Sequence, residues 1–252
     1  MRRNPIYILA GLILLASCEG RTRTRPYLLV ESGFEGNKPF VEWANDQHCC
    51  AYSVTTTAQQ ASEGSRALRI EVRDSDPPTS GSIRAQLVQE VDEPITERWY
   101  GFNMFLENWV TDTAGESAVE WHPDNGQRIN AASLWVSGGS YVLQVDRDGT
   151  GTTSDYLDLG PVVSDRWVSW VVHVRWTVDQ TGFLQVWKND SLMVDRKGVR
   201  TCSPDGVYFK LGLDKFGWGS QPSHVSKRVV YYDEIRIGDE RANYDVVKPS
   251  RK

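Results

Sequence analysis

The chain has 252 residues, of which 40% are hydrophobic and 24% are charged. This composition excludes collagen-like, disordered and multi-span membrane proteins. The formal net charge of −5 argues against a nucleic-acid partner, because proteins that bind nucleic acids present a surplus of Lys and Arg. Ten Trp and ten Tyr are also present, and their flat apolar faces suit both cores and sugar-binding clefts.

The first 17 residues are predicted to form a lipoprotein signal peptide. Arg2 and Arg3 precede an apolar run over residues 6–16, which is too short to span a bilayer. The run leads into Leu-Ala-Ser-Cys, which resembles a bacterial lipobox, so Cys18 is expected to carry a lipid. An ordinary signal peptide followed by a chance Cys is the alternative.

The rest of the chain is predicted to form a tether over residues 18–26 and a single domain over residues 27–252, which we expect to be a monomer. No repeat of fixed period and no Pro/Ser-rich linker divides the second range. We therefore expect an exported protein that is lipid-anchored to the bacterial cell envelope, at the outer membrane or the periplasmic face. Glu19, rather than Asp, follows the lipobox Cys, and this favours the outer membrane.

Three further cysteines are Cys49, Cys50 and Cys202. An exported location permits a disulfide, and an odd number of cysteines allows at most one bridge within the chain. We expect Cys202 to pair with Cys49 or Cys50; buried, unpaired thiols are the alternative.

Apolar residues alternate with a period of two from Tyr27 onward, which is typical of β-strands. In the clearest run, residues 167–176, one face is wholly apolar: Val168, Trp170, Val172, Val174 and Trp176. Nine further runs are predicted to be strands: 66–72, 82–88, 99–106, 119–122, 132–136, 141–145, 183–188, 207–213 and 228–237. Turn residues separate several of these runs, at 138–139, 148–149, 189–190 and 205–206. Ten strands without crossover helices predict an all-β sandwich of two antiparallel sheets.

Three of these strands place polar side chains on one face, as expected for the floor of a binding groove. These side chains are Arg84 and Gln86, then Glu120 and His122, then Tyr208, Lys210 and Asp214.

The chain resembles the jelly-roll polysaccharide lyases, which include heparinase I-type, glucuronan and alginate lyases. Their usual motifs are Arg-x-Glu-Leu, Gln-x-His and Tyr-Phe-Lys-x-Gly-x-Tyr, in that order. Here the corresponding segments read Arg-Ala-Gln-Leu from residue 84, Glu-Trp-His from residue 120 and Tyr-Phe-Lys-Leu-Gly-Leu-Asp from residue 208. The resemblance implies a β-jelly roll and the cleavage of acidic, uronic-acid-containing polysaccharides by β-elimination.

In such a reaction a cation neutralises the uronate carboxylate, a base removes the adjacent proton and an acid assists the leaving oxygen. The resemblance implies that Arg84 holds the carboxylate, that His122 is a base or neutraliser and that Lys210 helps to hold the sugar. The same cleft is expected to use a further set of side chains in substrate binding: Gln86, Trp121, Tyr208, Lys215 and Trp218.

Three positions depart from the family pattern. Gln86 replaces Glu, which is a mild change. Glu120 replaces Gln and would repel a uronate 4 Å away by about 1–4 kcal/mol, unless it is protonated or paired with Arg84 or Lys210. Asp214 replaces the catalytic Tyr, and it cannot act as a phenol of high pKa does. Possible substitutes near it in sequence are Lys215, His224 and Tyr208.

These departures keep two other functions open. The first is a non-catalytic carbohydrate-binding lipoprotein of the same fold. The second is a glycoside hydrolase that uses Glu120 and Asp214 as its two carboxylates. In a purely structural interpretation, Arg84 pairs with Glu120, and Lys210 pairs with Asp214.

A structural calcium site is predicted at Glu35 and Asp233, because many β-sandwich carbohydrate domains join an N-terminal Glu to an Asp of the last strand. Calcium takes six to eight oxygen ligands, and carbonyls and water can complete the set. The alternative is two unrelated surface acids. The chemistry itself requires no cofactor.

Overall fold

The computed structural model describes residues 25–89, 97–123, 129–147, 150–201, 207–218 and 220–250. The predicted signal peptide, the predicted lipid site at Cys18, nearly all of the tether, and Cys202 lie outside these ranges. Within them, no helix has the length and apolar character needed to cross a membrane.

The described residues form fifteen strands and one short helix, α1 (Tyr244–Val247). The strands are Leu28–Ser32 (β1), Ala44–His48 (β2), Val54–Thr57 (β3), Ala67–Arg73 (β4), Ile83–Gln89 (β5), Glu97–Leu106 (β6), Glu116–Pro123 (β7), Ala132–Ser137 (β8), Ser140–Asp146 (β9), Ser154–Pro161 (β10), Trp167–Arg175 (β11), Gly182–Lys188 (β12), Ser191–Val199 (β13), Val207–Lys215 (β14) and Lys227–Gly238 (β15). All ten predicted strands are present. The sequence did not predict β1, β2, β3, β10 and β13.

Two antiparallel sheets pack face to face, which confirms the predicted jelly-roll sandwich. The seven-stranded sheet has the order β10-β9-β8-β7-β14-β5-β2. The eight-stranded sheet has the order β13-β12-β11-β6-β15-β4-β3, and β1 pairs with β15. Residues with opposite parity along each strand point either into the shared core or outward.

The core contains the apolar face predicted for β11. Val168, Trp170, Val172 and Val174 are buried in it, and Trp176 joins them just beyond the strand. Their partners from the facing sheet include the alternate residues Phe209, Leu211 and Leu213 of β14.

Two predicted turns are present in the described residues. Gly138 and Gly139 join β8 to β9 with positive φ angles of 58° and 83°. Asn189 and Asp190 join β12 to β13 with φ angles of 48° and 63°, values that Asn and Asp adopt more readily than most side chains. The turns predicted at 148–149 and 205–206 lie outside the described residues.

The predicted pairing of Cys202 with one member of the vicinal pair is wrong. Cys49 and Cys50 are joined to each other by a disulfide, in the segment that leads from β2 toward β3. Adjacent thiols need no other part of the chain to approach, whereas a bridge to Cys202 depends on a contact that the sequence does not specify.

Candidate active site

Three neighbouring strands of the seven-stranded sheet carry the predicted site. β14 lies between β7 and β5, and its outward residues alternate with residues of the core. Across the strands, Tyr208 is opposite His122, Lys210 is opposite Glu120, and Asp214 is opposite Arg84. The strand register therefore brings together, on one outer face, groups that are up to 130 residues apart in sequence.

Gly212 allows β14 to approach β5 closely in the middle of this face. A Cβ at this position would lie 2.1 Å from the carbonyl oxygen of Ala85, and the φ angle of Gly212 is +134°. Any larger residue would push the two strands apart. The glycine therefore helps to hold Asp214 within reach of Arg84.

Arg84 and Asp214 form a salt bridge, with 2.9 Å between Nη2 and Oδ2. Ser82 links them a second time, because its hydroxyl donates to Oδ1 of Asp214 at 2.6 Å and accepts from Nε of Arg84 at 2.8 Å. Both charged side chains are largely buried, so the geometry of this pair is well defined.

Lys210 and Glu120 form the second ion pair, with 3.7 Å between Nζ and Oε2. Both residues are only 4% exposed. The hydroxyl of Ser117 donates a further hydrogen bond to Glu120. The purely structural pairings expected from the sequence are thus wrong in their partners: Arg84 binds Asp214, and Glu120 binds Lys210.

His122 is oriented by its own strand. Its Nδ1 lies 2.8 Å from the carbonyl oxygen of Pro123, which can only accept, so Nδ1 carries the proton and Nε2 is the acceptor nitrogen in the neutral ring. Burial and the charge of Lys210 lower the pKa of His122. The imidazole therefore stays neutral to lower pH than an exposed histidine does.

Tyr208 is the one sequence-predicted substitute for the missing phenol that lies beside His122. The two rings have centroids 5.0 Å apart, and Nζ of Lys210 lies 5.3 Å from the Tyr208 ring centroid. Their side chains thus form one end of the outward face, and the Arg84–Asp214 pair forms the other.

Burial dominates the electrostatics of the remaining charged groups. It raises the pKa of Asp214 to about 6, with a further contribution from the charge of Glu120, against the attraction of Arg84. Burial also lowers the pKa of Lys210, against the attraction of Glu120. Each shift favours the neutral form of a group that is ion-paired in the structure.

A cluster of histidine, lysine, arginine and tyrosine on the outer face of such a sandwich fits the family suggested by the motifs. The chain matches the protein-family model described as polysaccharide lyase over residues 34–236. The chain belongs to this polysaccharide lyase family. No curated protein matches it significantly.

Several solved structures share the fold, among them two lyases. An endo-β-1,4-glucuronan lyase from the fungus Trichoderma reesei has a TM-score of 0.67 and 18% identity, covering 82% of this chain and 98% of that chain. A cellulose-induced protein has a TM-score of 0.60 and 12% identity, covering 85% and 99%. An alginate lyase from Pseudomonas aeruginosa has a TM-score of 0.52 and 18% identity, covering 69% and 83%.

Three residues predicted to bind substrate in this family member have other roles. Trp121 and Trp218 are 1% and 7% exposed and belong to the core, so neither can stack on a sugar. Lys215 has core-side parity on β14 and is fully buried against Asp112 and Glu116. The sequence prediction failed because proximity to the groove motifs does not determine which face a side chain occupies.

His224, the remaining substitute for the phenol, also lies elsewhere. Its Nδ1 is 3.4 Å from a carboxylate oxygen of Asp112, in the ion network that includes Lys215. It therefore does not join His122.

Gln86 has the predicted orientation but not the predicted exposure. It shares the outward parity of Arg84 on β5 and is opposite Gly212, yet it is fully buried. Neither atom of its amide has a hydrogen-bond partner among the described residues.

Sequence reasoning missed two residues of this face. Ser82 and Ser117 fix the two ion pairs, and their small hydroxyl side chains carry no distinctive pattern.

Glu35 and Asp233 both bind the loop before β4. Oxygens of Glu35 accept hydrogen bonds from the backbone and hydroxyl of Ser65 and from the backbone of Arg66. Oδ2 of Asp233 accepts from the backbone and hydroxyl of Ser62 and from a neighbouring backbone N–H, and Oδ1 accepts from the backbone of Glu234. All four carboxylate oxygens are therefore already used by donors of this chain, so the two residues have a role in the fold without a metal.

Proposed function

We propose that this protein is a polysaccharide lyase that cleaves an acidic, uronic-acid-containing polysaccharide by β-elimination. The observation that carries the proposal is the outward cluster of Arg84, His122, Tyr208 and Lys210 on adjacent strands. Membership of the polysaccharide lyase family supports the reaction class. The glucuronan and alginate lyases among the structural neighbours support an acidic substrate.

The two cations of the cluster neutralise the uronate carboxylate in this proposal. Removal of the proton next to that carboxylate builds up negative charge on its oxygens, and preorganised positive groups stabilise this charge in the transition state. Arg84 is held by Asp214 and Ser82, so its guanidinium is oriented before substrate arrives. Lys210 supplies the second charge, and it is shared with Glu120 until a uronate binds.

His122 is the base and Tyr208 is the acid. Nε2 of neutral His122 accepts the proton from the carbon next to the carboxylate, while Nδ1 remains bonded to the Pro123 carbonyl. The electron pair of the broken C–H bond forms the new C=C bond, and the glycosidic C–O bond breaks. The phenol of Tyr208 donates its proton to the departing oxygen and becomes a phenolate. The proton on His122 then passes to this phenolate, which restores both groups. Asp214 and Glu120 act as positioning residues for the two cations.

A non-catalytic carbohydrate-binding protein is the second candidate. The observation that favours it is that both cations of the cluster already have a negative partner. Arg84 and Lys210 are each paired with a carboxylate of this chain. A binding protein needs no unpaired cation, whereas a lyase must use at least one in its transition state.

A screen for unsaturated products separates the two candidates. Wild-type protein is incubated with glucuronan, alginate and other uronic-acid polysaccharides, and the ultraviolet absorbance of new unsaturated ends is followed. We expect product from at least one uronan, and Arg84→Ala should lower kcat/KM by about 10²–10³, as the loss of one oriented charge-stabilising donor does. Arg84→Lys, which keeps the charge but loses the planar fork, serves as the matched control. Binding of a uronan without product from any of them would favour the second candidate.

A further inference from the structure

Away from the charged cluster, the outer face of the seven-stranded sheet loses its basic side chains. The outward positions of β8, β9 and β10 are all described, and none of them is Lys or Arg. Two are carboxylates, Asp146, which is buried, and Asp158, which is exposed. Arg147, the residue directly after β9, forms a salt bridge with Asp155. A second uronate on this part of the face would meet negative charge and no cation of these strands.

Uncharged groups occupy the rest of this region, and they are organised around Trp135. The indole N–H of Trp135 donates to Oε1 of Gln144 at 2.9 Å. The amide nitrogen of Gln144 donates in turn to the hydroxyl of Ser154 at 2.8 Å, so three strands are linked by neutral hydrogen bonds. Trp135 remains partly exposed, and Tyr156 on β10 is 67% exposed.

Trp135 is aligned with the charged cluster. It is opposite Ser117 on β7, Ser117 is opposite Asp214 on β14, and Asp214 is opposite Arg84. Since neighbouring strands are about 4.8 Å apart, β8 lies about 10 Å from β14 and about 14 Å from β5 along this row. A polysaccharide that crosses the strands and places one uronate at Arg84 would pass another of its sugar units over Trp135.

We propose that the outward surface of β8–β10, with Trp135 as its platform and Gln144 as the residue that orients the ring, binds uncharged sugar units of the same polysaccharide chain as the reactive uronate. The apolar face of a neutral pyranose packs on the indole. This inference rests on the proposed function, and it narrows the substrate class from a homopolymer of uronic acid to a heteropolysaccharide that contains both uronic acid and neutral sugars.

Binding of defined tetrasaccharides tests the proposal directly. Cellotetraose, xylotetraose, mannotetraose and a tetramer of glucuronic acid are titrated into the full-length protein by calorimetry and by Trp fluorescence. We expect at least one neutral tetramer to bind. Trp135→Ala should weaken that binding at least tenfold, and Trp135→Phe should retain most of it.

Two controls keep the result interpretable. Leu192→Ala removes an exposed apolar side chain from β13 of the other sheet, and it should leave binding unchanged. Gln144→Ala should weaken binding through the indole orientation, and fluorescence should report the altered environment of Trp135. The proposal is overturned if none of the three neutral tetramers binds, or if Trp135→Ala binds them as wild type does.

The same measurements separate this proposal from the lyase proposal. If no uronan yields unsaturated product but Trp135→Ala still weakens the binding of a neutral tetramer, the lyase reaction is wrong and the neutral-sugar surface stands. If uronans are cleaved but the neutral tetramers do not bind, the lyase proposal stands and the neutral-sugar surface is wrong.

Discussion

The ring of Tyr208 lies 5.0 Å from the ring of His122, centroid to centroid, on adjacent strands of the outward face. Tyr208 is the first residue of the lysine-containing motif, whereas the family's catalytic phenol corresponds to the last position, which is Asp214 here. A histidine and a phenol are thus still side by side, although the phenol comes from the opposite end of the motif.

Removal of the Tyr208 hydroxyl should therefore abolish most of the activity without abolishing binding. We expect Tyr208→Phe to lower kcat on a uronan by about 10²–10⁴, the usual contribution of a positioned acid, and to change KM little. Steady-state kinetics measure both parameters. Tyr244→Phe removes a phenol from α1 and should be silent. An unchanged kcat in Tyr208→Phe would mean that another group protonates the leaving oxygen. In that case, a gain of activity in Asp214→Tyr would show that a phenol at residue 214, the family's usual position, can donate this proton.

Neutralisation of Glu120 should increase activity. Its carboxylate pairs with Lys210 and would repel a bound uronate, and like charges 4 Å apart repel by about 1–4 kcal/mol. Glu120→Gln keeps the shape and a hydrogen-bond acceptor for Ser117, and we expect kcat/KM on uronans to rise about tenfold, since about 1.4 kcal/mol is a factor of ten. Glu120→Ala, which also loses the acceptor, should lower the melting temperature. Loss of all activity in Glu120→Gln would instead assign Glu120 a proton-transfer role.

The KM for a uronan should fall as the pH is lowered through about 6. Burial and Glu120 raise the pKa of Asp214 to about 6, so above this pH Asp214 is ionised and competes with the substrate carboxylate for Arg84. Below it the carboxyl is neutral, and the guanidinium is available to the uronate. Asp214→Asn should show the low KM at every pH. Since the pKa of His122 is lowered, the base remains neutral into the same range, and its protonation should appear in kcat. A wild-type KM that is constant across about pH 5 to 7 contradicts this interpretation.

Asp233 should stabilise the fold even if no calcium binds. Asp233→Ala leaves four hydrogen-bond donors without their acceptor, and a buried unsatisfied donor costs about 1–3 kcal/mol, so the melting temperature should fall by several degrees. If calcium binds at the predicted site, excess calcium should raise the melting temperature, because a ligand that binds only the folded state stabilises it. Melting curves with excess calcium and with chelator decide the second point: a calcium-dependent rise that disappears in Asp233→Ala would support the site, and identical curves would remove it.

Cys18 should determine where the protein is found in the cell. From the lipobox we expect Cys18→Ser to move the protein from the membrane fraction to the soluble periplasmic fraction. Fractionation with and without detergent measures this. Cys202→Ser is the matched control, since it removes a thiol far from the lipobox. A Cys18→Ser protein that still requires detergent would show that the apolar run itself is the anchor.

The sequence by itself determined the fold class and the members of the charged cluster. Period-two alternation in residues such as Val168 and Trp170 reports burial directly, because a strand exposes alternate faces, and the same rule placed Arg84, Glu120 and Lys210 outward. The strands that were missed, such as β10 and β13, lie at sheet edges, where one or both faces contact solvent and the alternation is weak.

Only the tertiary structure decided which of these groups meet. Partners across a sheet depend on register and on bulges, such as the shift between Leu211 and Asp214, and a local pattern contains no information about either. For this reason Glu120 pairs with Lys210 rather than Arg84, and Lys215 belongs to a buried ion network rather than to the groove. Strand parity assigns a side chain to a face, but its partner is set by the neighbouring strand, which comes from a distant part of the chain.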